Sequence, residues 1–222
     1  MSNATAGGIS FNDEDIMAYN METGVWSMIF DGSDVAMSGD VDGFSLLADG
    51  SLLLSFDASF TLSPLGTVDD SDIIRFIPTS LGATTAGQAQ WYFDASDVGL
   101  DTNDEDIDAL QVMPDGKLVV SVLGAYGVTD AGGAALAGDD VDLLAFTPTQ
   151  LGATTSGTWS LHFDGSNVEL TPRGSEDVHA AWIDPVSAKI YLSTLGTFAV
   201  TGATGDGMDV FICTPGLSLI HI

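Results

Sequence analysis

The sequence predicts an all-β fold, an array of repeated four-stranded antiparallel units. Three observations carry that expectation. The phrase Phe30-Asp31-Gly32-Ser33-Asp34-Val35 returns 63 residues later as Phe93-Asp94-Ala95-Ser96-Asp97-Val98, and again 70 residues later as Phe163-Asp164-Gly165-Ser166-Asn167-Val168. Other landmarks keep their order between these phrases: Asp40-Val41-Asp42 matches Asp106-Ile107-Asp108 and Asp177-Val178-His179, and Pro78 to Thr85 returns almost unchanged at Pro148 to Thr155. Finally, the apolar residues come in short runs, and no segment sustains the 3.6-residue period of an amphipathic helix. A fixed period of this length marks a repeat architecture.

The second complete copy reads as four strands. Ile107 to Met113 alternates and ends at Pro114-Asp115-Gly116, a turn signal. Lys117 to Leu123, rich in Val and Leu, follows at once and completes a hairpin. Gly124 to Asp140 reads as a Gly/Ala-rich loop, Val141 to Thr147 as a third strand and Trp159 to Asp164 as a fourth. Four strands per unit suit a β-propeller blade, with the excess length in the loop between the second and third strands. The recurring aromatics Trp26, Trp91 and Trp159, with Phe30, Phe93 and Phe163, read as packing on the fourth strand.

The units expected are a partial one over 1–35, complete ones over 36–98 and 99–168, and a partial one over 169–216. Two, eight and three strands fall short of a closed ring of four or more blades. The chain therefore reads as a truncated part of a larger propeller. Leu217-Ser218-Leu219-Ile220-His221-Ile222 resembles a reading frame of a sequencing-library adapter, and 217–222 is set aside as read-through.

Charge narrows the partners. The 222 residues carry 32 acidic and only 4 basic side chains, a formal charge of −28. Phosphate recognition needs a basic footprint, so nucleic acid is excluded as a partner. No run of 18 apolar residues exists, so membrane insertion by a helix is not expected. Asp outnumbers Glu by 27 to 5. Asp bonds its own backbone in turns and is a common oxygen ligand of hard cations.

The acids fall into two places in each unit. Asp40 and Asp42, then Asp104, Glu105, Asp106 and Asp108, then Glu176 and Asp177 precede a first strand. Asp13, Glu14 and Asp15, then Asp69, Asp70 and Asp72, then Asp139, Asp140 and Asp142, then Asp206 and Asp209 precede a third strand. First and third strands of a meander run the same way, so both clusters are expected on one face, the first around a channel mouth. Asp40, Asp42, Asp69, Asp70, Asp72, Asp104, Asp106, Asp108, Asp139, Asp140, Asp142 and Asp177 are the candidate metal ligands, calcium being the cofactor that suits them. The competing reading is that they cap turns and face water.

No catalytic residues are singled out. There is no nucleophile elbow, phosphate loop, His-Glu-x-x-His or paired cysteine. His179 replaces an Asp of the cluster, His162 stands on a fourth strand, and Cys213 takes the place of Phe76 and Phe146.

The phrases Phe-Asp-Gly-Ser-Asp-Val (30–35), Asp-Ile-Asp-Ala-Leu (106–110), Leu-Leu-Leu-Ser-Phe-Asp (52–57) and Asp-Asp-Ser-Asp-Ile (69–73) resemble tandem repeats of large, uncharacterised secreted or surface proteins of environmental bacteria. The resemblance spans nearly all of 9–215. It implies an extracellular or cell-surface setting and a propeller-like fold, and it brings no activity with it. The expected function is a non-catalytic interaction module, calcium-stabilised, with a protein or glycan ligand. The alternatives are a propeller-type hydrolase or lactonase with a metal at the channel mouth, and a purely structural spacer.

Overall fold

A computed structural model describes residues 4–214. The hexapeptide 217–222 and the whole of the expected tail beyond Thr214 lie outside the described residues. The described residues are all-β, with strands paired antiparallel throughout and one-turn 3₁₀ helices as the only helical pieces. None of these is long and apolar enough to cross a membrane.

Two compact units make up the chain, Met1–Ile107 with Thr149–Ser156, and Asp108–Pro148 with Gly157–Ile222. In the first unit, β1 (Ala4–Ala6) and β2 (Ile9–Phe11) form a small hairpin, and β3 (Ile16–Asn20) pairs with β4 (Val25–Phe30). A 3₁₀ turn at Ser33–Val35 leads to β5 (Val41–Leu46) and β6 (Leu52–Phe56). The hairpin β7 (Phe60–Leu62) and β8 (Gly66–Val68) intervenes before β9 (Ile73–Ser80) and β10 (Ala86–Phe93). The four-stranded sheet runs β5-β6-β9-β10. Its inner strand β6 is buried along its whole length, as a continuous apolar run flanked on both sides should be.

The second unit repeats the plan. After a 3₁₀ turn at Ser96–Val98 come β11 (Ala109–Val112), β12 (Leu118–Ser121), the hairpin β13 (Tyr126–Thr129) and β14 (Ala135–Gly138), then β15 (Leu143–Gln150) and β16 (Ser156–Phe163). They form a sheet of order β11-β12-β15-β16. A 3₁₀ turn at Gly165–Val168 precedes β17 (Val178–Ile183), β18 (Ile190–Thr194), the hairpin β19 (Phe198–Val200) and β20 (Ala203–Gly205), and β21 (Phe211–Cys213). Here the sheet is β17-β18-β21.

The four main sheets thus hold two, four, four and three strands in chain order, as the repeat leads one to expect. The expected loop at 124–140 is instead a β-hairpin. Tyr126 and Val128 are buried while Gly127 and Thr129 are exposed, the alternation of a half-buried strand. Its Gly and Ala content hides that signal, and at Gly138 the small residue is required. Tyr126 pairs with Gly138, and a Cβ on Gly138 would lie 2.2 Å from the Tyr126 hydroxyl and 2.3 Å from Asp142 Oδ2.

Each unit has its own core. Ile16, Phe30, Leu52, Leu54, Phe56, Ile74 and Phe76 pack together in the first, with the Phe30 and Phe76 rings edge-on at 5.2 Å. Val141, Leu143, Leu170, Val178, Leu192 and Phe211 anchor the second. Trp159 is buried against Phe146, whereas Trp26 is partly exposed and lies against Tyr19.

The segment Thr149–Ser156 counts with the first unit because of a clasp. Thr155 accepts the Asp94 N–H at Oγ1 (2.9 Å) and donates its own N–H to Asp97 Oδ2 (2.8 Å). Thr85 makes the same two bonds to Asp31 (2.9 Å) and Asp34 (2.8 Å), so the loop Leu81 to Thr85 docks on the preceding copy's 3₁₀ turn. The two most repeated phrases of the sequence are the two halves of this clasp.

Candidate functional site

The structure gives the two acid positions different work. At the start of the third strand the acid closes a turn. Asp72 donates its N–H to the Asp69 carbonyl (3.1 Å) and accepts the Asp69 N–H at Oδ2 (2.8 Å). Its Oδ1 accepts the Ala95 N–H (3.1 Å) from the turn after β10. Asp142 does the same with Asp139 (3.4 Å) and Gly165 (3.1 Å), and also accepts the Tyr126 hydroxyl (3.0 Å). Asp15 and Asp209 follow the pattern with Asn12 (2.8 Å) and Asp206 (3.0 Å). Burial pushes Asp72 up to about 6, and its two backbone donors hold it back from rising further. Glu105 is likewise a turn acceptor, taking the N–H groups of Asp101 (2.8 Å) and Thr102 (3.1 Å).

The acid two residues before the turn-closing Asp joins successive copies through its backbone in three clusters. The carbonyls of Asp13, Asp70 and Asp140 accept the N–H groups of Val41 (3.1 Å), Ile107 (3.4 Å) and Val178 (2.9 Å). Each of these N–H donors follows a first-strand acid: Asp40, Asp106 or Asp177. The bond therefore brings the two clusters together, as expected from strand direction.

In the first unit this convergence leaves one buried carboxylate oxygen without a donor. Asp106 is 5% exposed, and its Oδ1 has no hydrogen-bond partner. Burial first, then the charges of Asp42, Asp70 and Asp57, push its carboxyl up to about 8. Asp40 is raised by burial and then by Asp57 and Asp13. Asp70 is raised by burial and then by Asp69. Arg75 is the one Lys or Arg in this unit's sequence, and it is held elsewhere, by Asp49 and by Ser51 (2.9 Å).

The second unit carries its own counter-charge. Arg173 donates its N–H to both oxygens of Asp140 (2.9 and 2.8 Å) and its Nε to Asp139 Oδ1 (2.7 Å). It does so from a φ of 62°, a region unfavourable to residues with a Cβ. Asp177 is buried, and Asp108 and His179 offer ligand atoms within 4.8 Å of each other. Asp104 and Asp69 are exposed, Asp69 against Ser59. His162 is exposed, and Cys213 is half-buried with its thiol raised by burial.

Asp57 joins the first unit's cluster without being among the expected ligands. It follows β6, and its N–H donates to the Asp40 carbonyl (3.1 Å). Leu195 makes the same bond to Asp177 (2.9 Å), so Asp57 stands where another copy has Leu. That departure from the repeat was the available signal.

Carboxylates clustered in this way match the oxygen ligands that hard cations take. No family model matches this chain, and no curated protein matches it. Among solved structures, a catalytically inactive virginiamycin B lyase from Staphylococcus aureus with quinupristin is similar at 10% identity, over 89% of this chain and 78% of that chain, with a TM-score of 0.34.

Proposed function

We propose that the chain is a segment of a β-propeller-like array that serves as a non-catalytic interaction module outside the cell, stabilised by calcium at Asp106. The observation that carries the metal is the buried, unpartnered Asp106 Oδ1 among Asp42, Asp57 and Asp70, in a unit whose only Lys or Arg is engaged by Asp49. A buried carboxylate without a donor is costly unless a charge compensates it. Calcium accepts six to eight oxygens in flexible geometry, whereas magnesium demands a near-ideal octahedron and keeps its water. Asp72, which closes the turn that carries Asp70, supports the site by positioning it. The array's regularity supports an interaction surface over a catalytic one, and a protein or glycan remains the partner class.

Thermal melting of the chain in calcium, magnesium and chelator at matched ionic strength tests the reading. Binding stabilises the fold by about 2.7 kcal/mol at a hundredfold excess over the dissociation constant. Asp106→Asn should remove the calcium-dependent part of that stability. Identical melting in calcium and chelator would end the metal reading.

Asp57 favours a second reading, because a non-repeating polar residue at this end is what a propeller-type hydrolase or lactonase would need. Calcium-dependent turnover of lactones or glycosides, lost in Asp57→Leu, would select it.

A further inference from the structure

The fourth strands of the repeat differ at one inward position. Ala89 stands four residues before Phe93, where Trp26 precedes Phe30 and Trp159 precedes Phe163 by the same distance. The register is kept. Ala89 pairs with Phe76 across β10 and β9, and the Trp159 indole lies on the matching Phe146 with ring centroids 4.8 Å apart. Trp159 is 2% exposed. In both Trp-bearing copies the inserted hairpin reaches this position. Gly7 of the β1–β2 turn lies so close that a Cβ there would sit 2.9 Å from Trp26 Cβ, and Asp130 of the β13–β14 hairpin bridges to Trp159. Beside Ala89 there is instead a pocket of about 340 Å³. Val35, Met37, Leu62, Phe76 and Ala89 form its apolar floor. Exposed Ser63 and Pro64, in the turn of the β7–β8 hairpin, and exposed Gln88 and Gln90, on β10, form its rim. The indole of Trp91, two residues further on, packs against the core and does not line this pocket.

We infer that this pocket receives one planar aromatic side chain of indole size, presented by an extended segment of a partner protein. The filled seat of the second copy sets the chemistry, because there the repeat covers its third-strand Phe with an indole. Ala89 withdraws that indole and leaves the apolar floor uncovered. An aromatic ring brings a large apolar area on few rotatable bonds, and the volume falls in the range of small-ligand sites, about 300–1,000 Å³. A sugar ring would leave hydroxyls unpaired on this floor. The segment's main chain has a place as well. β10 is an edge strand of its sheet, and the pocket runs along it from Gly87 to Gln90. In the second copy the hairpin itself, one residue longer in each strand than β7–β8, reaches the corresponding edge through the Asp130 bridge. Pairing of an added chain along an open edge is a common mode of peptide capture, with a pocket for the side chain giving specificity. The inference rests on the interaction-module reading and names protein as its partner class, while calcium plays no part in it.

The test is a titration of the full chain against a fluorescein-labelled peptide, Gly-Ser-Thr-Trp-Thr-Ser-Gly, read by anisotropy with calcium present. Saturable one-to-one binding is expected, weakened by about tenfold or more when Ala replaces the peptide's Trp. Ala89→Trp should fill the pocket from within, abolish the binding and leave the melting temperature no lower than the parent's. If that variant does not fold, the two peptides decide the question. No saturation up to about 1 mM, equal binding of the Ala peptide, or undiminished binding by folded Ala89→Trp overturns the proposal. Free indole that competes as strongly as the whole peptide would give the pocket to a small aromatic molecule and overturn the protein partner. Binding of a neutral oligosaccharide that Ala89→Trp blocks would give it to a glycan and overturn the proposal equally. Failure of the peptide to bind leaves the calcium-dependent melt as it is, and identical melting in calcium and chelator leaves this pocket standing.

Discussion

The backbone N–H of Thr85 donates to the carboxylate of Asp34 at 2.8 Å across 51 residues of chain, while the Thr85 hydroxyl takes the Asp31 N–H. One residue, through its backbone N–H and its hydroxyl, thereby satisfies both ends of a turn in the preceding copy. Thr85 is buried, and its hydroxyl also donates to the Gly82 carbonyl (2.8 Å).

Thr85→Val keeps the shape and removes the hydroxyl. It should destabilise the chain by about 1–2 kcal/mol, because the part-buried Asp31 N–H loses its acceptor. Thr155→Val should cost a similar amount. Denaturant melts of the single and double variants check this, and a ΔΔG near zero for both would mean that the clasp is decorative.

Phe76→Ala should cost about 3–5 kcal/mol. The ring is almost fully buried, edge-on against Phe30. Leu161, exposed on β16, gives the control: Leu161→Ala should stay within about 0.5 kcal/mol.

Gly138→Ala should destabilise by about 1–3 kcal/mol through overpacking against Tyr126 and Asp142. The companion substitution Tyr126→Phe removes the hydroxyl that the new methyl would strike. The double variant should be more stable than the sum of the two single losses, as a double-mutant cycle would show.

The pH dependence in chelator has a definite sign. A carboxyl raised by burial to about 8 binds its proton more tightly in the folded chain than in the unfolded one. Its contribution to stability is therefore whole below the unfolded value near 4, and is lost as pH rises through about 8. Asp106→Asn should melt with less loss between pH 5 and pH 8 than the parent. Equal pH slopes for the two proteins would show that Asp106 titrates in the ordinary range.

Much of the fold was legible because it was written more than once. The matched phrases give strand order, hairpin turns and the start of each sheet, and Gly116 at φ 86° closes the Pro114-Asp115-Gly116 turn as its sequence demands. The inserted hairpins were hidden because strands of three or four residues give too short an alternation, and Gly138 and Gly205 are small for steric reasons that only a folded neighbour reveals. The acids were found but could not be sorted. Asp72 and Asp106 look alike in sequence, yet one has two backbone donors and the other an orphaned oxygen. Asp57 went unnoticed because it shares no motif with its neighbours in space. The use of Arg173 as the second unit's counter-charge depends on a backbone conformation that composition does not signal.

The two halves of the Thr–Asp clasp lie in different copies but are spelled the same way in each. A gain or loss of one whole period at the level of the gene, by slippage or unequal exchange, would leave every Thr facing an acceptor, wherever in the period the breakpoints fell. The number of copies can therefore drift between lineages while each junction stays intact. A breakpoint out of register with the period would have no such protection, since it would strand a turn opposite a loop that cannot answer it.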